Sequence, residues 1–204
     1  MSSTAIFASG FGIAFGLIVA IGAQSAFVLR QAIMRNHIVP VVLVCAFSDM
    51  LFMSIGIAGF GSIVENAPWL ITGMRLFGGA FLVYYGFLAL RRAMKPSAMA
   101  TETGPARKSL LPVLGATLAV TYLNPHFYLD TVVLLGSIAN SHGDAKWVFG
   151  FGAMLASIVW FTLLGFGARF LQPLFEKPRS WQFLDGVIAI IMFTIAVNVL
   201  SPLV

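Results

Sequence analysis

Six long apolar blocks, each with very few charged side chains, constrain this chain more than any other feature of its sequence. They cover approximately residues 4–29, 37–61, 69–90, 110–136, 147–170 and 183–200. A helix needs about 20 such residues to cross the hydrocarbon core of a bilayer. None of the blocks alternates as a membrane β-barrel strand does, and a helix satisfies its own backbone in lipid. The sequence therefore predicts an all-α integral membrane protein with six transmembrane helices.

Charge distribution predicts how these helices are oriented. Charged residues make up 9% of the chain, against about 25% in soluble domains. Ten of the 12 basic residues lie in or beside the first, third and fifth connections: Arg30, Arg35, Arg91, Arg92, Lys95, Arg107, Lys108, Arg169, Lys177 and Arg179. Because short cytoplasmic loops are enriched in Lys and Arg, we expect these connections in the cytoplasm and both termini outside. The basic charge thus indicates membrane topology and not nucleic-acid binding.

The chain divides into two halves of three helices each. Residues 1–92 form the first half, 93–109 a cytoplasmic linker rich in Pro, Ser and Thr, and 110–204 the second half. IGAQSAFVL at 21–29 aligns weakly with LNPHFYLDT at 123–131. Three helices per half insert with opposite orientations, so we predict a 3+3 inverted repeat. Transporters of this kind bind their substrate near the midplane, at broken helices in matching positions.

Two acidic residues lie deep within the blocks, Asp49 in the second and Asp130 in the fourth. An aspartate at the centre of a membrane helix costs roughly 2.5–3.5 kcal/mol on insertion scales. Such a side chain is expected to face the protein interior or a water-filled cavity and to take part in function. The alternative is a neutral aspartic acid that only links two helices by a hydrogen bond.

The fourth block contains a helix breaker. Pro125 has no N–H group, so the carbonyl of Thr121 loses its helical donor, and Asn124 is suited to cap the break. Freed backbone groups at membrane depth need partners from the protein or from a wet cavity. We therefore predict a broken helix at Asn124–Pro125. The alternative is a plain proline kink whose neighbours only satisfy the freed groups.

Polar side chains surround this predicted break. On one continuous helix, Tyr122, His126 and Asp130 would share a stripe, with Tyr128 on the neighbouring stripe. This side of the helix is polar enough to line a cavity. His126 is one turn from Asp130, which fits a proton relay, although we favour a hydrogen-bonding residue in the cavity lining.

Other blocks carry further candidate residues. Gly22, Gln24 and Ser25 place an amide and a hydroxyl where an unwound turn would offer ligands. Trp160 in the fifth block is a candidate for an aromatic lining, with packing in the core or against lipid as the alternative. A ridge of small residues in the first block is expected to pack on another helix: Gly12, Gly16 and Ala20.

The sign of these groups indicates the cargo. Two carboxylates with almost no deep positive charge favour a cation, and either carboxylate is able to carry a proton in exchange for it. No phosphate-binding glycine pattern is present, so the sequence does not predict ATP hydrolysis. The three histidines fall on different segments, and we predict no metal, no cofactor and no nucleic-acid partner. The oligomeric state stays open.

Five motifs occur in one order along most of the chain: IGAQSAFVLRQAI at 21–33, VCAFSDMLF at 44–52, TYLNPHFYLDTVVLLGS at 121–137, ASIVWF at 156–161 and GFGA at 165–168. Together they resemble the lysine/arginine exporters of the lysine-exporter superfamily. The resemblance implies a non-enzymatic exporter of arginine, lysine and analogues such as canavanine. It also implies coupling to the proton motive force and a place in the bacterial inner membrane, where the termini would be periplasmic.

The resemblance also assigns positions. Four of the family's characteristic residues have the expected identity in this chain: Asp49, Asn124, Pro125 and Asp130. The family's Gly-Pro-Gln-Asn of the first span falls on residues 22–25, where Ala23 replaces the usual proline and Ser25 the usual asparagine. Because alanine does not force a break as proline does, the family pattern leaves open whether the first span is interrupted.

Other functions fit parts of the pattern. A neutral amino-acid exporter of the homoserine/threonine type would share the fold, but its substrate already balances its own charges. An intramembrane aspartyl protease also uses two aspartates, yet the glycines of its GxGD motif are missing around Asp130. A passive channel would differ from an exporter in lacking proton coupling. The two aspartates favour a cationic amino acid.

Overall fold

The computed structural model describes residues 2–20, 22–60, 68–94 and 109–203. Regular structure in these ranges is entirely helical, which confirms the predicted all-α class. The α-helices, numbered in chain order, are α1 Ser3–Val19, α2 Ala23–Ile33, α3 Ile38–Ile55, α4 Pro68–Met94, α5 Leu110–Tyr122, α6 Pro125–Tyr128, α7 Leu135–Asn140, α8 Lys146–Gly167 and α9 Pro178–Leu200. Wider π-helical turns occupy Gly56–Phe60 and Leu129–Leu134, and 3₁₀ turns occupy Gly143–Ala145, Ala168–Glu176 and Ser201–Leu203.

Three stretches within these ranges are long and apolar enough to cross a membrane: Ile38–Gly59, Gly143–Leu171 and Arg179–Leu200. The pair α1–α2 adds a fourth when its two bent helices count as one crossing. The other two predicted spans correspond to α4 and to the interrupted segment from α5 to α7, and neither is among the membrane-crossing candidates. The protein is therefore multi-pass, and the number of six crossings stays a prediction. The division into two halves joined by a linker also stays a prediction, because most of the linker lies outside the described residues.

Helix α3 shows which of its surfaces faces lipid. Val39, Leu43, Phe47 and Leu51 recur every fourth position and keep 42–63% of their surface exposed. A soluble protein rarely leaves such a continuous apolar stripe uncovered, so this face is suited to contact acyl chains. Asp49 is on the opposite side of the helix and only 2% exposed. The prediction that its carboxyl group faces the protein interior is confirmed.

Small residues bring α1 and α8 into close contact. Gly10 and Ala14, one turn apart on α1, are buried. A Cβ atom on Gly10 would overlap the carbonyl oxygen of Phe149, and one on Gly152 would overlap that of Phe7. The two backbones thus approach more closely than larger side chains would permit, as is common between membrane helices.

The small-residue ridge predicted along Gly12, Gly16 and Ala20 is wrong. A Cβ atom on Gly12 or Gly16 would meet no atom within 4 Å, and Ala20 is exposed. The packed face is the one that contains Gly10 and Ala14. A spacing of four residues shows that small residues share a face of a helix. Helix α1 has two such faces, and the spacing does not indicate which of them packs against another helix.

Helices α4 and α9 form a second close pair. A Cβ atom on Gly79 would overlap the side chain of Leu200, and one on Gly86 would come within 3.0 Å of the Phe193 ring. Gly78 lies against the carbonyl oxygen of Leu123, directly before α6. Helix α4 therefore packs on the interruption between α5 and α6 and helps to fix the position of α6.

Two helices are interrupted at places that the weak internal alignment makes equivalent. Helices α1 and α2 are inclined by 76°, and Gly22 precedes α2 in an extended conformation. Asn124 precedes α6 in the same way, with Pro125 as the first helical residue. The break at Asn124–Pro125 is thus where it was predicted. The first span is interrupted as well, although it has Ala23 in place of proline.

Replacing Gly10 by Ala should lower the free energy of unfolding, because its Cβ atom would overlap the backbone of α8. Forced overpacking typically costs about 1–3 kcal/mol. Gly12→Ala is the matched control on the same helix: it meets open space, and alanine favours the helix by up to about 1 kcal/mol. Thermal melting of the two purified variants in detergent measures the difference. Equal melting temperatures would contradict the close contact between α1 and α8.

Candidate functional site

Asp49 is the centre of a polar cluster in the protein interior. Ser157 on α8 donates a hydrogen bond of 2.7 Å from its hydroxyl to Oδ2 of Asp49. The other carboxyl oxygen, Oδ1, is buried and has no hydrogen-bond partner. One oxygen of this carboxyl group is thus held in a fixed direction, and the other is available to a ligand or a proton.

Gln24 lies beside this carboxyl group at the beginning of α2. Its side chain interacts with Asp49 and with the thiol of Cys45. The amide nitrogen Nε2 is nevertheless buried without a hydrogen-bond partner. Gly22 supplies no side-chain cap for α2, and the first N–H groups of any helix have no acceptor within the helix. The Gln24 amide is therefore a donor beside the carboxyl group of Asp49, and the start of α2 has no side-chain cap.

Trp160 closes one side of this region. Its indole nitrogen donates a hydrogen bond of 3.3 Å to the hydroxyl oxygen of Ser25, and its ring packs edge-on against Phe15. Ser157 and Trp160 are three residues apart and share a face of α8. Helix α8 thus contacts both Asp49 and the start of α2. The five polar residues form what we name the Asp49 cluster: Gln24, Ser25, Asp49, Ser157 and Trp160.

A second group of predicted residues surrounds the break between α5 and α6. The side-chain oxygen of Asn124 accepts a hydrogen bond of 3.1 Å from the backbone N–H of His126, which caps α6. Tyr128 donates a hydrogen bond of 3.0 Å from its hydroxyl to the carbonyl of Tyr122, the last residue of α5. Side chains of the same segment therefore satisfy backbone groups on both sides of this break. We name Asn124, His126, Tyr128 and Asp130 the Asn124 cluster.

The stripe predicted for Tyr122, His126 and Asp130 does not form, because the break ends the regular helix between the first two. Tyr122 points inward and shares a hydrogen bond of 2.9 Å with Ser48. His126 is exposed and lines an open pocket of about 150 Å³ together with Arg75 and Asn198. Asp130 is half-buried and lies close enough to His126 for an electrostatic interaction.

Helix α3 contacts both clusters from adjacent positions. Ser48 bonds to Tyr122, and the next residue, Asp49, bonds to Ser157. One turn further along α3, the Phe52 ring packs against Tyr122, Phe127 and Tyr128 at centroid distances of 5.2–5.5 Å. The predicted residues therefore fall into two separate clusters joined by α3, with Asp49 and Asp130 in different ones.

A buried ion cluster was missed in the sequence. Asp185 accepts hydrogen bonds through Oδ1 from Nε of Arg30 at 2.9 Å and from Nε of Arg92 at 3.0 Å. Arg30 was assigned to a connection, but it belongs to α2 and is only 8% exposed. Arg30 thus places a positive charge in the protein interior, although the sequence was expected to have almost no deep positive charge. Asp185, inside the sixth apolar block, was the available signal, because a buried carboxylate needs a cationic partner.

Metal ligands do not assemble in the described part of the chain. No three His, Cys, Asp or Glu side chains there come together in a way that would hold an ion. The single cysteine, Cys45, is buried as a free thiol. The chemistry available at the Asp49 cluster is thus that of one carboxyl group, an amide, two hydroxyls and an indole.

Comparison with known proteins gives consistent matches over nearly the whole chain. Residues 15–202 match the family described as LysE type translocator. The Mycobacterium tuberculosis protein named "Putative amino-acid transporter Rv0488" is 46% identical over 89% of this chain and 90% of its own length. Lysine exporter LysE of Corynebacterium diphtheriae is 36% identical over 90% and 93% of the two chains. Arginine exporter protein ArgO of Salmonella newport is 34% identical over 92% and 89%. No solved structure matches the chain.

Replacing Asp185 by Asn should destabilise the protein strongly, because two guanidinium groups would lose their shared counter-ion. Removing one partner of a buried ion pair typically costs about 3–5 kcal/mol. Arg92→Gln should cost less, because the Arg92 side chain is 29% exposed whereas that of Arg30 is 10% exposed. Thermal melting in detergent gives the order of the variants. Wild-type stability of Asp185→Asn would show that the cluster contributes nothing to the fold.

Proposed function

Since the chain belongs to the LysE type translocator family, we propose that it exports the cationic amino acids arginine and lysine. Relatives named lysine exporter and arginine exporter, each matched over about nine tenths of both chains, support this substrate class. The family consists of translocators, so the protein is a transporter and not an enzyme. The proposed location is the bacterial inner membrane.

The unpartnered oxygen of Asp49 is the observation that carries the proposal. A carboxylate inside a membrane protein is unfavourable unless a cation or a proton neutralises it. Ser157 donates only one neutral hydrogen bond to this group, and Oδ1 has no partner. A positively charged substrate neutralises the carboxylate, and so does a proton. Substrate and proton therefore compete for the same oxygen, which is the basis of the exchange that we propose between outgoing amino acid and incoming proton.

The proposed topology has six spans arranged as a 3+3 inverted repeat. The equivalent starts of α2 and α6, after Gly22 and Asn124, support it. Arg30 is ion-paired within the protein, so it does not count as a free cytoplasmic charge. Arg92 is paired with the same carboxylate. The other eight basic residues of the first, third and fifth connections still favour a cytoplasmic place for them, with both termini in the periplasm.

Other functions make different demands on the two aspartates. An aspartyl protease needs two carboxyl groups that share a proton about 3 Å apart, whereas Asp49 and Asp130 belong to different clusters. A neutral amino-acid exporter stays a competing proposal, because the Asp49 cluster does not define where the side chain of the substrate would bind. Export of threonine without export of arginine would favour that alternative.

Asp49→Asn should strongly reduce export of arginine and lysine, because asparagine keeps the shape of the side chain but not its charge. Hydrogen bonds to charged groups contribute about 1.5–3 kcal/mol, which corresponds to roughly a 10- to 100-fold effect. The measurement is efflux of labelled arginine, lysine and threonine from preloaded cells that lack other exporters.

The matched control is Asp144→Asn, the same chemical change at an exposed residue of the 3₁₀ turn before α8. It should retain efflux, and both variants should reach the membrane in wild-type amounts. Wild-type arginine efflux through Asp49→Asn would refute the role given to this carboxyl group.

Proton coupling is tested separately in inverted membrane vesicles, whose outer surface is the former cytoplasmic side. Energised vesicles containing the wild-type protein should accumulate labelled arginine above its external concentration, because protons leave as arginine enters. A protonophore should abolish the accumulation. Simple equilibration of arginine, unaffected by the protonophore, would identify a passive channel.

A further inference from the structure

We propose that the Asp49 cluster binds the head group of the amino acid and not its side chain. In this arrangement Asp49 Oδ1 accepts hydrogen bonds from the α-ammonium group. Gln24 Nε2 and the first N–H groups of α2 donate to the α-carboxylate. The inference rests on the proposed amino-acid export and assigns Gln24 and Gly22 as residues that determine specificity for a carboxylate-bearing substrate.

The first argument is the pairing of two unsatisfied groups of opposite character. Asp49 Oδ1 is a buried acceptor and Gln24 Nε2 a buried donor; neither makes a hydrogen bond of good geometry, although the amide lies close enough to the carboxyl group to interact with it. Buried polar groups in native proteins nearly always have partners. An amino-acid head group carries an ammonium donor and a carboxylate acceptor on one carbon atom, so a single ligand satisfies both groups.

The second argument is the contrast between the two helix breaks. At the second break, the Asn124 side chain caps α6 and Tyr128 bonds to the end of α5. At the first break, Gly22 is the residue before α2 and has no side chain to offer. The start of a helix carries partial positive charge and favours an anion. Helix α2 is thus the one of the two that has no side-chain cap at its start, which suits it to a carboxylate.

The third argument is that neighbouring contacts hold Ser25 and the Asp49 carboxyl group in fixed directions. The Ser25 hydroxyl accepts the Trp160 indole N–H, which holds the serine toward α8. Ser157 binds the opposite oxygen of Asp49, which fixes the direction of Oδ1. Ala23 retains a backbone N–H that the proline common at this place in the family lacks. The site therefore has one additional donor at its helix end.

Binding of arginine and agmatine to the purified protein in lipid nanodiscs tests the proposal. Agmatine is arginine without its α-carboxylate, and it keeps the amino and guanidinium groups. Wild-type protein should bind arginine at least about tenfold more tightly than agmatine, a difference of about 1.4 kcal/mol in binding free energy. Gln24→Leu should weaken the binding of arginine about tenfold and leave the binding of agmatine unchanged. Asp49→Asn should weaken the binding of both ligands, because both carry the amino group.

Gly22→Ser separates ligand binding from folding. Gly22 has φ −93° and ψ −176°, an extended conformation that serine readily adopts, and a serine hydroxyl before the first helical residue caps the helix. This variant should melt at a higher temperature yet bind arginine several-fold more weakly, because its hydroxyl competes with the α-carboxylate. Gly22→Ala, which adds a Cβ atom but no acceptor, is the matched control and should bind arginine more tightly than Gly22→Ser.

Three results would overturn the head-group proposal. These are equal wild-type affinities for arginine and agmatine, an equal loss for both ligands in Gln24→Leu, or unchanged arginine affinity in the stabilised Gly22→Ser. A wild-type protein that neither binds nor exports arginine, lysine or threonine would instead overturn the proposed function itself. The two failures are thus distinguishable, because the first retains amino-acid transport and the second does not.

Discussion

A helix that ends within a bilayer must find partners for its terminal N–H and C=O groups, and this requirement organises the protein. Hydrocarbon supplies none, so the partners come from side chains, from a wet cavity or from a ligand. The break before α6 is satisfied from within, by Asn124 on one side and Tyr128 on the other. The break before α2 has Gly22 at the corresponding place and no such side chain. Two equivalent interruptions thus differ in how they are capped, and this difference is the reason for proposing that the first one binds a ligand.

The two buried carboxyl groups, those of Asp185 and Asp49, also differ in whether the protein itself supplies their partners. Asp185 accepts from two guanidinium groups and joins α2 to α4 and α9, whereas the groups that interact with Asp49, Ser157 and Gln24, are both neutral. Partners, and not burial, distinguish the two, since both residues are nearly inaccessible. Helix α2 is anchored by Arg30 near its end and carries Gln24 at its beginning. The same short helix therefore connects the ion cluster to the Asp49 cluster.

Much of the architecture was predictable because its cause lies in single residues or in composition. Apolar blocks predict membrane helices, Pro125 predicts a break because it lacks an N–H, and the cost of a charge in lipid predicts that Asp49 faces inward. The five motifs identified the family, and the matched relatives confirm it. The break before α2 was not predictable from Ala23, because alanine does not force a break as proline does. Arg30 was misassigned because a basic residue beside an apolar block looks like a loop residue until its distant partner Asp185 is known.

The head-group arrangement also explains why a site that contacts no substrate side chain would still favour cationic amino acids. In a low-dielectric pocket, an uncompensated net charge costs more free energy than the loss of a single neutral contact. With Asp49 ionised, bound arginine or lysine brings a net charge of +1, so the loaded site is neutral. A neutral amino acid would leave the site with a net charge of −1, and it restores neutrality only when Asp49 stays protonated. The empty site becomes neutral when Asp49 takes up one proton. Exchange of one cationic amino acid for one proton keeps the pocket neutral in both states, so a single carboxyl group is sufficient for selection by charge and for coupling.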